Sequence, residues 1–367
     1  MKNSERLVSL DAFRGLTILL MIVVNTPGSW AYVYPPLHHS EWHGATPTDL
    51  VFPFFLFIVG VAMWFSFKSY DHKMSKGAFL KILKRTALIF LIGLLLNAFP
   101  KFNFEHLRIV GVLQRIALAY GIGATAVLLL PKAGRWIFSG VVLLGYWALM
   151  YFMGGNDPYS LEHNFAGGID VLLFGDAHVY HGFGIAFDPE GLLSTFPAAI
   201  NVVFGYMVGE LITKTKDSKK TINKLVLLGI IGVIIGLVWN QFFPINKPIW
   251  TSSYVVYTVG IALLVLSLFI WIIDIKGYKK WATPLLVYGT NPLLIFLLSI
   301  VWVKVIIYLV HFGQGDDRLS GYGWLYQTVF VPIGGNMFGS LLFALAHGVL
   351  FWAVGYVLYK KKIFLKL

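Results

Sequence analysis

The chain has 367 residues, of which 57% are hydrophobic, 16% aromatic and only 13% charged, with a net charge of +12. Soluble domains carry about 25% charged residues, so this composition excludes a water-soluble globule and points to an all-α polytopic membrane protein. Cysteine is absent, which excludes disulfides, thiolate metal sites and cysteine nucleophiles.

The N-terminal "MKNSERLVSLDAFRG" carries Glu5 and Asp11 and has no small-residue cleavage site after its apolar run, so it is not expected to be a cleaved signal. Ser9 is the expected N-cap of the first helix, with Asp11 in its first turn. Apolar stretches of about 20 residues cross a hydrocarbon core of about 30 Å. About ten such spans follow in order, over roughly 9–30, 48–68, 79–99, 109–130, 134–153, 191–213, 222–242, 252–274, 283–310 and 338–360. The longest connection, 154–190, has room for short strands or helices but not for an independent core. No internal repeat or separate soluble domain is evident.

Lysine and arginine fix the expected orientation. With both termini inside (N-in, C-in), 23 of the 29 bases fall on the inner side, in the alternate connections and the two tails. This clustering assigns the positive charge to a membrane surface rather than to nucleic acid. Eleven of the 17 acids fall on the other side, and the extracytoplasmic 154–190 loop holds six acids and no lysine or arginine. The outer face should attract cations, and the inner face suits anionic lipids and anionic cofactors.

Polar residues gather at one level near the outer ends of the spans. "LHHSEWHGATPTDLVFPFF" supplies His38, His39, Glu41, His43 and Asp49 at the mouth of the second span. Asn25 and Asn97 end the first and third spans, and Asn240, Asn246 and Lys247 lie between the seventh and eighth. In "LRIVGVLQRIALAY", Arg108 and Arg115 are seven residues apart, which on a helix gives one face and about 10 Å of depth. A deep arginine needs a partner or water, and Asp49, Asp188 and Glu190 are the candidates. A histidine beside a carboxylate can act as a general base, and an asparagine amide can donate to an oxyanion. No nucleophilic serine elbow or phosphate-cradling glycine loop occurs, so the set suits direct acyl transfer to an amine or hydroxyl. Other readings stay open: the histidines as interfacial residues, or His38, His39, Glu41 and His43 as zinc ligands. His163, His178 and His181 read as surface residues, and Asn291 in "GTNPLL" as a backbone partner near Pro292.

"RLVSLDAFRGLTILLMIVVN", "HHSEWHGATPTDLVFPFFLFIVG", "RIVGVLQRIALAY", "DPEGLLSTFPAAINVVFGYMVGE" and "NKPIWTSSYVVYTVG" together resemble the heparan-α-glucosaminide N-acetyltransferase family, a branch of the transmembrane acyltransferases. The resemblance covers nearly the whole chain and implies a single transmembrane acyltransferase domain over residues 1–367. It implies transfer of an acetyl group from cytosolic acetyl-CoA to a glucosamine-type amino sugar across the membrane, with no metal. Carried over by position, the family's catalytic histidine matches His39, with His38 beside it as a second candidate, and its partner asparagine matches Asn25. Asp49 completes the catalytic set. Arg14 and Arg85 match arginines assigned to CoA phosphates, and Arg108, Arg115, Asp188, Glu190 and Lys247 fall to substrate or structural ion pairs. The long N-terminal domain of lysosomal members has no counterpart, which suggests a compact bacterial form in the inner membrane. The partners implied are a CoA thioester, an amino-sugar acceptor and membrane lipids, with a homodimer left open. An amino-sugar permease and an O-acyltransferase of a surface polysaccharide are the alternative functions.

Overall fold

A computed structural model describes residues 7–215, 217–315 and 318–364. Lys2, Glu5, Arg6, Lys216, Asp316, Asp317 and Lys366, which enter the charge count, lie outside the described residues. The protein is helical apart from one two-residue antiparallel pair, β1 (His311–Phe312) with β2 (Leu319–Ser320), joined through His311–Ser320 and Phe312–Leu319.

Among the described residues, eight helices are long and apolar enough to span a membrane, and a bent pair makes a possible ninth. The tenth expected span, over 79–99, is present as α3 (Lys76–Ala98), but Lys76, Lys81, Lys84 and Arg85 crowd its first half and shorten its apolar part. The chain folds into two compact units.

Among the described residues, the first unit comprises 7–39, 46–52, 269–315 and 318–364. It contains α1 (Val8–Asn25), α10 (Thr283–Thr290), α11 (Pro292–Tyr308), α12 (Gly321–Leu325) and α13 (Val331–Lys360). Leu7, not Ser9, caps α1; Ser9 lies inside the first turn, and Asp11 pairs with Arg14 one turn on. α1 packs on α10 through glycine. A Cβ at Gly15 would stand 1.7 Å from Leu285 O, and one at Gly289 would stand 2.1 Å from Asp11 O, so only glycine permits this backbone approach.

The span expected over 283–310 is broken. α10 and α11 are bent by 72° at Asn291, because Pro292 has no N–H with which to continue the ladder. Asn291 Nδ2 donates to a backbone carbonyl, as expected of it, but to Ile363 O at 2.8 Å in the C-terminal segment rather than to backbone next to Pro292. The last span is longer than expected. Helical structure runs over 321–360, which at 1.5 Å per residue is about twice a hydrocarbon core. Gly335, at φ 67°, divides it and leaves residues 336–360 as a spanning length.

Among the described residues, the second unit comprises 40–45, 53–215 and 217–268. It holds most of α2 (Val51–Phe67), then α3, α4 (Val112–Leu129), α5 (Lys132–Met153), α6 (Phe165–Phe174), α7 (Thr195–Lys214), α8 (Ser218–Trp239) and most of α9 (Ser252–Phe269). α2 is apolar on every side, with Leu56, Phe57, Ile58, Val61 and Phe67 fully buried, as expected of a central helix. The 154–190 connection is not coil throughout. Asn164 caps α6 by accepting from Gly167 N at 2.8 Å, and Ala166 and Phe187 join a core with Tyr146, Met150, Phe243 and Ile249.

Candidate active site

In the first unit, the chain after α1 turns through Pro35–Leu37 and returns in the 3-10 turn Pro47–Leu50 that leads into α2. Thr46 and Asp49 close a capping box over this turn, with Thr46 N donating to Asp49 Oδ2 at 3.0 Å. Asp49 is thereby held at 1% exposure, and its other oxygen, Oδ1, lies 2.6 Å from His39 Nδ1. A carboxylate oxygen accepts, so Nδ1 is the ring nitrogen that donates in this pair. The His39 side chain remains 40% exposed, so the imidazole is oriented from behind by a buried acid and open in front. Of the two adjacent histidines only His39 meets Asp49. His38 is exposed, and its carbonyl lies 2.6 Å from Thr46 Oγ1.

Asn25, the last residue of α1, is exposed, and its Nδ2 donates to Met21 O at 2.8 Å within the same helix. One amide proton and the carbonyl oxygen remain for other partners. Arg14 is partly engaged, with Nη1 donating to Asp11 Oδ1 at 3.1 Å and to Gly289 O at 3.2 Å.

The second unit holds an acid–base network. Arg108 grips Asp188 with two bonds, Nε to Oδ2 at 2.7 Å and Nη2 to Oδ1 at 2.6 Å, and Nη2 also reaches Glu190 Oε2 at 2.5 Å. The Tyr180 ring lies 4.8 Å from the guanidinium. Burial opposes the Arg108 charge, but Asp188 and Glu190 outweigh it and raise the pKa further above the ordinary arginine value.

Arg108 does not share a helix face with Arg115, contrary to the seven-residue spacing. Asn97 Nδ2 ties down the carbonyls of Arg108 (2.8 Å) and Val110 (3.2 Å), and α4 starts only at Val112. Arg115 is fully buried and forms no ion pair among the described residues. The acids proposed for it are elsewhere: Asp188 and Glu190 on Arg108, Asp49 on His39. Its Nη2 instead donates to Ser194 Oγ and to Gly191 O (3.1 Å), and Trp250 lies 4.9 Å from the guanidinium.

Asp170, on α6, is buried at 1% exposure beside this network. Burial pushes its carboxyl up to about 7, against the bond that Oδ1 accepts from Leu192 N at 2.7 Å.

Residues 40–45 are anchored within the same unit. Trp42 Nε1 donates to Tyr159 O at 2.8 Å, and its ring meets Phe183 and Phe187 edge-on. Asn246, fully buried, donates to Trp42 O at 3.0 Å and lies 3.4 Å from His43 Nδ1. Partial burial lowers the His43 pKa, with Asp157 pulling the other way. Lys247 is half-buried in the turn before α9, where its carbonyl accepts from Trp250 N at 3.0 Å. Arg85 stacks 4.6 Å from the Tyr120 ring, and its buried Nε has no hydrogen-bond partner among the described residues. No three of His, Asp or Glu converge in a metal-binding group among the described residues.

Several contributors were not singled out from sequence: Thr46, Trp42, Ser194 and Tyr180. Thr46 was readable, since "TPTD" before an apolar run carries the capping-box spacing. Trp42, Ser194 and Tyr180 act through contacts distant in sequence and carry no local sign.

This is an all-α, polytopic membrane protein with a carboxylate-oriented histidine at the start of a buried span. The family model described as heparan-alpha-glucosaminide N-acetyltransferase, catalytic, matches residues 6–164. The human heparan-alpha-glucosaminide N-acetyltransferase is 28% identical over 422 residues, covering 99% of this chain and 60% of the relative. The Mus musculus protein of the same name is 28% identical over 425 residues, covering 100% of this chain and 61% of the relative. The chain therefore spans about three-fifths of the length of these relatives. Over residues 6–164 it is similar to the heparan-α-glucosaminide N-acetyltransferase family.

Proposed function

We propose that the protein is a transmembrane acyltransferase that moves an acetyl group from acetyl-CoA on the cytosolic side to a glucosamine-type amino sugar on the opposite side of the plasma (inner) membrane. The observation that carries this is the His39–Asp49 pair, 2.6 Å apart with the acid buried and capped and the imidazole open. In this reading Nε2 of His39 accepts the proton of the attacking amine. The amine nitrogen forms the new bond to the thioester carbonyl carbon, the carbon–sulfur bond breaks, and the proton passes to the departing CoA sulfur. Asp49 stabilises the imidazolium formed in between. Asn25, with one amide proton not used inside its helix, is the proposed oxyanion donor. Arg85 is the proposed contact for a CoA phosphate through its guanidinium charge, and Arg14 is assigned a share while it also pairs with Asp11.

The test uses protein in sealed vesicles, with acetyl-CoA on one side and a panel of amino sugars and hydroxylated sugars on the other. Free CoA and acetylated sugar should appear together in equal amounts, and absence of both with every acceptor would overturn the proposal. Product on hydroxyls alone would make the protein an O-acyltransferase. A permease is the second reading, favoured by the 72° break between α10 and α11, since broken helices build transporter sites. It predicts sugar flux with no CoA released.

A further inference from the structure

In the second unit, α5, α7, α8 and α9 border a cavity of about 650 Å³ that the proposed transfer chemistry does not use. Its walls are apolar, among them Trp136, Phe204, Leu211, Ile231, Ile235 and Val259. Its origin lies in two glycines. α8 and α9 touch at Gly232 and Gly260, where a Cβ on Gly260 would stand 2.6 Å from Val233 N. Both glycines line the cavity, so the two helices are drawn together and no bulky side chain fills the space beside the contact. The space opens sideways: Trp136 is 55% and Ile235 47% exposed, on the two spans that are least buried, α5 and α8, at 22% each.

The charge is all at one end. Lys132, Lys214 and Lys224 stand there with Glu210. Glu210 is already taken by Arg135 at 2.9 Å and Lys214 at 2.6 Å, whereas Lys132 and Lys224 form no ion pair among the described residues. From Lys224 to Ile235 the cavity follows α8 for about 16 Å. A slot with ammonium groups at its mouth, open to the bilayer, matches a phosphate above an acyl chain. These lysines belong to the bases that the sequence assigns to the cytoplasmic side.

We propose that this cavity binds one anionic glycerophospholipid of the cytoplasmic leaflet, with an acyl chain between α7, α8 and α9 and its phosphate held by Lys132 and Lys224. The slot is walled by apolar side chains and faces lipid rather than water, which suits a hydrocarbon chain better than the amide-bearing pantetheine arm of the acyl donor.

The full chain, stripped of lipid in detergent and titrated with phosphatidylglycerol or phosphatidylcholine, can be followed by native mass spectrometry. One phosphatidylglycerol should be retained in preference to phosphatidylcholine. Lys132→Gln with Lys224→Gln should weaken retention roughly 30-fold, the loss of two charges at a membrane surface. Met207→Trp, which fills the slot and spares the lysines, should abolish retention; if it does not fold, the lysine pair decides alone. Equal retention of both lipids, or undiminished retention in the lysine variant, would overturn the proposal. One-for-one displacement of the lipid by acetyl-CoA would also overturn it and give the slot to the acyl donor.

Discussion

Replacing Arg108 by methionine should destabilise the second unit more than any other single change at its charged network. The substitution removes three charge-assisted bonds, two to Asp188 and one to Glu190. It leaves Asp188, at 0% side-chain exposure, and Glu190, at 12%, as two carboxylates with no ion pair among the described residues, only the more distant field of Arg115 acting on them. Breaking a buried pair from one side costs about 3–5 kcal/mol, because the remaining charge is neither hydrated nor paired. Loss of the Tyr180 contact adds about 0.5–1 kcal/mol. Asp188 keeps the bond from Glu190 N at 2.9 Å, which moderates the damage without cancelling the charge. Arg108→Lys keeps the cation but cannot reproduce the two-pronged grip, and should fall between. The assay is thermal unfolding of purified protein in one detergent, comparing Arg108→Met, Arg108→Lys, and Arg108→Met combined with Asp188→Asn and Glu190→Gln. The single methionine variant should melt several degrees below the native protein, and neutralising the two acids should recover part of the loss. Native-like melting of Arg108→Met would refute the reasoning, as would a triple variant no better than the single one.

The other predictions concern pH and topology. Asp170 is held up to about 7 when folded against 3.8 for the ordinary carboxyl, so the folded form binds the extra proton between these values. Its contribution to stability is fully present below pH 4 and falls by about 1.4 kcal/mol per pH unit up to about pH 7. Melting midpoints at pH 5 and pH 8 should therefore differ more for the native protein than for Asp170→Asn, and equal differences would argue against a buried acid. If both termini are cytoplasmic, a cysteine at Lys361 should resist an impermeant thiol reagent in intact cells while one at the exposed Asp176 reacts. The reverse pattern would overturn the assigned orientation.

Sequence carried much of the fold because membrane spans are written locally. Eighteen or more apolar residues must be helical when lipid offers no hydrogen bonds, and α1, α2, α5, α7, α8 and α9 lie close to where hydropathy puts them. Helix ends were less legible, since they depend on distant partners. α4 starts at Val112 because Asn97, on another helix, holds the carbonyls before it. The bend at Asn291 had a local cause in Pro292, and its size depends on packing that sequence does not show. At the site, His39 and Asp49 could be named because they lie in one loop that matches a family motif, but sequence left His38 beside His39 as a second candidate, and only the bond to Asp49 separates the two. Arg115 was not: its depth called for an acid, and the structure meets it with Ser194, a carbonyl and an indole instead.

The central claim, that His39 works as the base of an acyl transfer, is tested most directly by the acetylation rate of His39→Ala in vesicles loaded with acetyl-CoA. Loss of a general base costs about 10²–10⁴ in rate. Transfer should fall by that factor while melting and CoA binding stay near native, because His39 is 40% exposed and the proposed phosphate contacts are other residues. His38→Ala and His43→Ala should be much milder, and Asn25→Ala should lose about 10²–10³, as for an oxyanion donor. A native rate in His39→Ala would contradict the mechanism, and sugar crossing the membrane with no CoA released would contradict the acyltransferase itself.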